Sequence, residues 1–552
     1  MRTTKSYKKL SELLIHHRKD IYSIYLFAIF SGIIQLSLPL GVQAIIGFVM
    51  GGAFSSSLAI LISLVILGVL FAGLMQIQQM KIIEKIQQKI FHYYAFLFNQ
   101  RIVSVDLKKT DEVYFPELMN RFLDVSTLQK SFSKILLDIP IASIQILLGL
   151  IMVSIYNPLF LILVLIMLGI VILIFYITGK KGLETSIKES SNKYDVTGWL
   201  EEVARMIHSF KLNKASAYDT KRLDRHVNGY LTYRTKHFKI LLFQFKNLVF
   251  VKILITSAML VVGTYLLIHQ ELNIGQFVAA EIIIITMIGS VEKIIINLDS
   301  FYDALTCLDK LETIQEEWYE QNGQTPFQSS GKGMSITLND VSFGYHPEAP
   351  LFKKMNLNIR AGERVAIQGK DGSGKSSLLR LFSTHYTPDS GTILYDNLPL
   401  RNYELSSLRS NIGMVFNKPD LFKGSIYENV SFGRSDIHPE RIMSLAKILK
   451  LDGFINSSPQ GLDTQIDTIG KRLSRTLIRK LLLLRALIHE QSLILLEDPF
   501  VELEEEVVNH ILNYFQTSLK NSTIIVISND PDHSKIFNQQ IQLSENQFII
   551  QS

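Results

Sequence analysis

Three long apolar stretches, a run of short alternating segments after Met334 and one glycine-rich motif predict a multi-domain chain. The predicted architecture is an all-α six-helix transmembrane domain fused to a P-loop α/β nucleotide-binding domain. The transmembrane part is expected over residues 1–318, a linker over 319–333 and the nucleotide-binding part over 334–552. The chain of 552 residues is 47% apolar and 19% charged, with a mean hydropathy of +0.22. That is too hydrophobic for a wholly soluble protein of this size, and too rich in apolar residues for disorder. Cys307 is the only cysteine, which excludes an intrachain disulfide, a zinc ribbon or a Cys-ligated cluster.

No charged residue lies between Asp20 and Lys81. A spanning helix needs about 20 apolar residues, so this window holds two, with Gly51, Gly52 and Ser55–Ser57 as the turn. The uncharged window from Ile139 to Gly179 holds two more, divided at Asn157 and Pro158. A third apolar region, Ile253 to Asn297, divides near His269–Asn273. The expected spans are 21–48, 58–80, 136–156, 159–178, 250–269 and 274–297. The three outer turns lack Lys and Arg, whereas the N-terminal stretch, 81–134 and 180–246 are rich in them. Positive charge stays inside, so both ends of this multi-pass chain are expected in the cytoplasm and the chain in a cell (inner) membrane. The net charge of +6 is then accounted for by cytoplasmic loops, and nucleic acid is not an expected partner. The apolar stretch after residue 20 is too long for a cleavable signal and is expected to be a retained helix. The two long inner segments are charged and helix-compatible, so the helices should continue into the cytoplasm. Glu281, inside the last span, is either a pathway carboxylate or an interfacial one.

After Met334 the pattern changes. Ser335–Leu338 and Arg364–Ile367 alternate as strands do, and 376–384 and 476–490 follow helical periodicity, which is an α/β arrangement. The polar stretch 319–333 (YEQNGQTPFQSSGKG) reads as a linker. Residues 369–376 (GKDGSGKS) follow the apolar strand and open a helix, the context a P-loop requires. Its glycines let backbone N–H groups close on phosphates, and the helix N-terminus adds positive potential. Gly369, Lys370, Asp371, Gly372, Ser373, Gly374, Lys375, Ser376 and Ser377 are therefore the candidate nucleotide-binding residues. Lys375 is expected on the phosphates and the Ser376 hydroxyl on Mg²⁺.

The surrounding residues extend this reading. Residues 341–345 (VSFGY), 408–415 (LRSNIGMV), 420–430 (DLFKGSIYENV), 485–487 (RAL), 493–496 (LILL) and 272–277 (LNIGQF) together resemble half-size ABC exporters, among them the type I secretion and bacteriocin-type transporters. The resemblance implies ATP and Mg²⁺ as cofactors, with Tyr345 stacked on adenine. It also implies a dimer, either of two such chains or with a second ABC half-transporter. Coupling helices are implied near 111–120 and 211–221. The short stretch before the first span offers no Cys/His pair, so no leader-cleaving peptidase is expected. A periplasmic adaptor and an outer-membrane channel would be further partners in a Gram-negative secretion system, beside the lipid bilayer itself.

Several positions depart from the family pattern. The Walker B strand ends in Glu497-Asp498 where the family has Asp-Glu. A longer Glu497 thus stands at the Mg²⁺ position and a shorter Asp498 at the general-base position. A misplacement of ~1 Å can cost ~10²-fold in rate, and a base must come within hydrogen-bond reach of its proton. The signature reads Leu473-Ser474-Arg475-Thr476-Leu477, with side chains where the family has two glycines. Arg475 either blocks the approach to the opposite subunit's ATP or offers it a guanidinium, as an arginine finger does. Asn529 occupies the switch-histidine position and Asn417 the Q-loop glutamine position. The metal set is then Ser376, Asn417 and Glu497, and the catalytic set Asp498, Glu497, Asn417 and Asn529. Ser474, Arg475 and Thr476 would face the ATP of the opposite subunit. These departures imply impaired or partner-assisted hydrolysis, or a nucleotide-binding membrane module that regulates or scaffolds a secretion complex without turnover.

Overall fold

The computed structural model describes residues 2–51, 56–111, 113–213, 216–312, 318–346, 348–418, 420–489, 491–528, 537–544 and 547–551. The chain divides into two compact units. The first comprises Met1–Val103 and Val113–Glu316, and the second Ser104–Glu112 and Glu317–Ser552.

The first unit holds six helices long and apolar enough to cross a membrane: Arg18–Met50, Ser56–Val103, Phe115–Tyr156, Pro158–Arg205, Ala217–Ile268 and Ile274–Leu311. Five of them contain an expected span, and Ala217–Ile268 stops one residue short of the expected 250–269; all six begin before or end after the span expected there. At a rise of 1.5 Å per residue, Ser56–Val103 is about 72 Å long, more than twice the hydrocarbon thickness of a bilayer. Local chemistry explains the breaks. Asn157 is extended, its side chain accepts the Leu159 N–H at 2.9 Å, and Pro158 opens the next helix. Asn273 and Gln276 form a reciprocal capping box at the start of the last span, at 2.8 and 2.9 Å. The expected turn at 51–57 lies partly outside the described residues.

One expectation needs correction. The first span is not one helix over 21–48: it is Arg18–Gln35 and Ser37–Met50, interrupted at Leu36. Pro39 has no N–H to give the Gln35 carbonyl and its ring crowds that turn, so the regular ladder stops there. The last span likewise breaks at Asn297 before Leu298–Leu311. Glu281 is half-buried on that span. Short helices lie at Phe115–Asn120 and Ile207–Leu212, and residues 112 and 214–215 between the long helices are outside the described set. Ser104–Glu112 groups with the second unit.

In the second unit, β1 (Ile336–Phe343), β2 (Phe352–Ile359), β4 (Ser390–Tyr395) and β5 (Leu398–Pro399) form a sheet of order β2-β1-β4-β5. A six-stranded sheet contains β3 (Arg364–Gly369), β6 (Ile412–Val415), β9 (Leu493–Glu497), β10 (Thr523–Ile527), β11 (Gln539–Ser544) and β12 (Gln547–Gln551), in the order β12-β11-β3-β10-β9-β6. A small pair joins β7 (Gly424–Ser425) and β8 (Gln465–Ile466). β11, β3, β10, β9 and β6 run parallel, and only β12 pairs antiparallel. Leu493–Glu497 and Thr523–Ile527 are buried at every residue, as a parallel sheet covered on both faces demands. In the register, Ile527 stands opposite both Ile367 of β3 and Glu497 of β9. The carboxyl ends of β3 and β9 therefore flank the same strand, the place where open α/β sheets gather ligand groups.

Residues 319–333 pack within this unit. Phe327 is buried, Thr325 bridges to Tyr403, and Glu320 makes a bidentate pair with Arg409 at 2.6 and 2.7 Å. Ser104–Glu112 is held by Asp106 N–H donating to the Trp318 carbonyl at 2.8 Å and by Tyr386 OH donating to Asp111 at 3.2 Å.

Candidate nucleotide site

The glycine-rich turn leaves β3 and enters the helix Lys375–Phe382. Gly374 caps that helix with φ of 95°, and a Cβ there would meet the Phe352 ring at 2.8 Å and Leu351 at 2.9 Å. Only glycine meets both constraints. The result is a backbone concavity at a helix N-terminus, an anion-binding shape. The largely buried Lys375 ammonium donates to the carbonyls of Gly369 at 2.6 Å and Lys370 at 2.9 Å, folded over the same turn.

Glu497 ends β9 with 8% exposure. One carboxylate oxygen accepts from the Ser376 hydroxyl. The other accepts the Asn417 backbone N–H at 3.0 Å. The three positions assigned to the metal thus meet at one carboxylate. The oxygen donors brought together are hard, anionic from Glu497 and neutral from Ser376, which suits Mg²⁺ completed by phosphate oxygens and water, whereas Asn417 joins through its backbone N–H and its side-chain oxygen accepts from Arg479. Among the described residues no group of three or more His, Cys, Asp or Glu side chains is placed to hold a metal. A magnesium-phosphate site does not need one.

Asp498 has φ of 43°, and its N–H donates to the Ile527 carbonyl at 2.9 Å. Burial first, and then the neighbouring Glu497 charge, hold its carboxyl above the ordinary range, against the opposing pull of Lys375 and Arg479. Arg479 was not expected from sequence. Its guanidinium donates to the Asn417 side-chain oxygen at 2.8 Å and reaches the Glu497 carbonyl at 3.5 Å. The only available signal was its position one turn after Arg475 on the helix Arg475–Leu487.

Tyr345 is 39% exposed, and its hydroxyl lies 2.7 Å from Ser377 Oγ. The ring sits edge-on to Phe343 at 5.4 Å and to Tyr386 at 5.9 Å. The sequence had pointed to Tyr345 alone, while the structure adds Tyr386 and Arg380, whose guanidinium lies 5.5 Å over the Tyr386 ring.

The signature-like residues do not join this cluster. The Ser474 hydroxyl caps its helix by accepting the Leu477 N–H at 3.2 Å. The Thr476 hydroxyl donates to the Glu502 carbonyl at 3.1 Å, and Arg475 pairs with the Glu502 carboxylate at 3.4 Å while its side chain stays 87% exposed. Such an exposed pair constrains Arg475 little. Asn529 lies outside the described residues.

The ABC transporter transmembrane region family matches residues 21–291, and the ABC transporter family matches residues 352–501. The chain has the half-size ABC exporter fold. A solved structure of a bacterial Atm1-family ABC exporter with ATP bound superposes with a TM-score of 0.85, covering 96% of this chain and 94% of that one at 17% identity. An ATP-dependent lipid A-core flippase of Alcanivorax borkumensis is 27% identical over 65% of this chain and 62% of its own length. An uncharacterized ABC transporter ATP-binding protein of Bacillus subtilis is 30% identical over 50% of this chain and 48% of its own. The matches therefore span about half to three fifths of these relatives. The exporter-fold chain is a multi-pass membrane protein, and its ABC domain implies ATP as the nucleotide.

Proposed function

We propose that this chain is the ATP-binding half of a membrane exporter that moves an amphipathic cargo outward by ATP-driven closure of a dimer. Its partner is a second copy or a different half-transporter, and secreted peptides or proteins are one cargo class that the sequence resemblance favours. The observation that carries this reading is the meeting of Ser376, Asn417 and Glu497 at one buried carboxylate beside Lys375. Tyr345 supplies a surface for adenine, the turn 369–374 receives the phosphates, and Lys375 neutralises them. Ser376 and Glu497 would hold Mg²⁺, which when bound offsets charge on the phosphate oxygens. Asp498 accepts a proton from the attacking water, from a shorter side chain than the family uses, so hydrolysis is slow or depends on the partner.

The test is equilibrium ATP binding by the full chain in lipid nanodiscs, with Lys375→Ala beside it. Binding that the variant loses supports the reading. Equal binding in both, or none in either, contradicts it.

The second reading, a nucleotide switch without turnover, is favoured by the Arg475 and Thr476 side chains, which stand where the family has two glycines. ATP binding without phosphate release in any dimer composition would select it.

A further inference from the structure

We infer that a cavity inside the membrane unit binds an uncharged, hydrogen-bonding amphiphile, and that this is the cargo class; the second clause rests on the exporter reading above. The half-open cavity has a volume of about 390 Å³, within the range of small-molecule sites, and among the described residues no ionisable side chain lines it. It lies where the first span breaks, with Leu36 and Pro39 on its wall, between the second, third and sixth spans.

Three glutamines face it, and their amides are not equivalent. Gln145 donates to the Gln35 side-chain oxygen at 2.6 Å, Gln35 donates to Ser31 at 3.0 Å, and Ser290 donates to the Gln145 oxygen at 2.7 Å. This directional chain uses one N–H of Gln35 and one of Gln145, leaving the second N–H of each. Gln76 is half-buried and makes no side-chain hydrogen bond to the described residues. A primary amide in the hydrocarbon layer without a partner is costly, and each unused donor is a place for a carbonyl or hydroxyl of a ligand. The site offers donors and acceptors but no countercharge. An ion entering it would lose its hydration for dipoles alone. The chemistry therefore selects neutral amides, esters or alcohols carrying an apolar chain, and rejects carboxylates and ammonium ions of the same size.

Gly73 supplies a clean way to close the cavity. It lines the wall, and a Cβ placed on it meets nothing within 4 Å. Gly73→Phe fills the space without a clash at its root and also improves helix propensity.

The experiment uses the full chain in phosphatidylcholine nanodiscs and tritiated N-decanoylglycinamide. Specific binding is the fraction displaced by excess unlabelled compound, with N-decanoylglycine and decyltrimethylammonium as charged competitors. The inference predicts saturable binding to wild type and competition by either charged compound at least about tenfold weaker than by the neutral one. It also predicts loss of binding in Gly73→Phe and a decrease of about tenfold in Gln76→Leu, the worth of one hydrogen bond. ATP binding on the same samples reports folding of each variant. No saturable binding, equal competition by the carboxylate, or binding unchanged in a folded Gly73→Phe overturns the site. Saturable neutral binding that ATP does not convert into transport in proteoliposomes keeps the site and overturns transport of this class by a dimer of this chain alone.

Discussion

The Arg479 guanidinium donates to the side-chain oxygen of Asn417 at 2.8 Å, a cation placed by the signature helix on the residue at the Q-loop position. It also lowers the Asp498 carboxyl's affinity for a proton. This puts a positive charge at the end of the site where the third phosphate of ATP belongs on the proposed reading, in a chain whose residue 529 is an asparagine.

The consequence is selectivity for ATP over ADP. Arg479→Ala should weaken ATP binding by about tenfold, the value of one charge-assisted hydrogen bond, while changing ADP affinity much less. Arg479→Lys should recover part of the difference. Titration calorimetry with the two nucleotides checks this, and an equal loss for both would assign Arg479 a structural role.

Tyr345 carries the adenine contact. Tyr345→Ala should lower ATP affinity by about 1–2 kcal/mol, in the range measured for base stacking on an aromatic ring. Tyr345→Phe keeps the ring but drops the contact with Ser377 Oγ, and should bind within a few-fold of wild type. Competition with a fluorescent nucleotide measures both.

Asp498 gives a pH signature in stability. Its folded-state carboxyl titrates above its unfolded value, because burial and Glu497 disfavour the charge. The native state then holds more protons than the unfolded state between the two values, so stability falls as pH rises through that window. The penalty is absent below the ordinary carboxylate range and fully present above the raised value. Asp498→Asn should therefore raise the thermal midpoint at neutral pH, and the gain should vanish as the pH is lowered through the ordinary carboxylate range. Thermal-shift scans of both proteins across pH test the sign.

Much of this was legible because the signals are local. The motif 369–376 specifies its own turn, and Gly374 at φ 95° is what its spacing required. Apolar windows and turns without Lys or Arg located the spans, and Asn157 with Pro158 marked a break by side-chain chemistry alone. The interruption at Leu36 was missed although Pro39 is in plain sight, because an apolar run masks the loss of one backbone bond. Arg479 was missed for another reason. Its contact with Asn417 joins residues 62 apart, and which face of its helix meets that loop is decided by tertiary packing. The Gln35–Gln145–Ser290 chain is likewise a product of helix packing, and in sequence it is only scattered polarity.

The order of Glu497 and Asp498 is the central point of the account, since it separates holding ATP from splitting it. The direct measurement is steady-state phosphate release in nanodiscs by wild type and by the double variant Glu497→Asp, Asp498→Glu, with Lys375→Ala as the blank. The account predicts wild-type turnover below about 1 s⁻¹, the low end of the usual enzyme range, and a rise of at least about tenfold in the double variant. Wild-type turnover at or above that rate, lost in Lys375→Ala and not increased by the exchange, would contradict it.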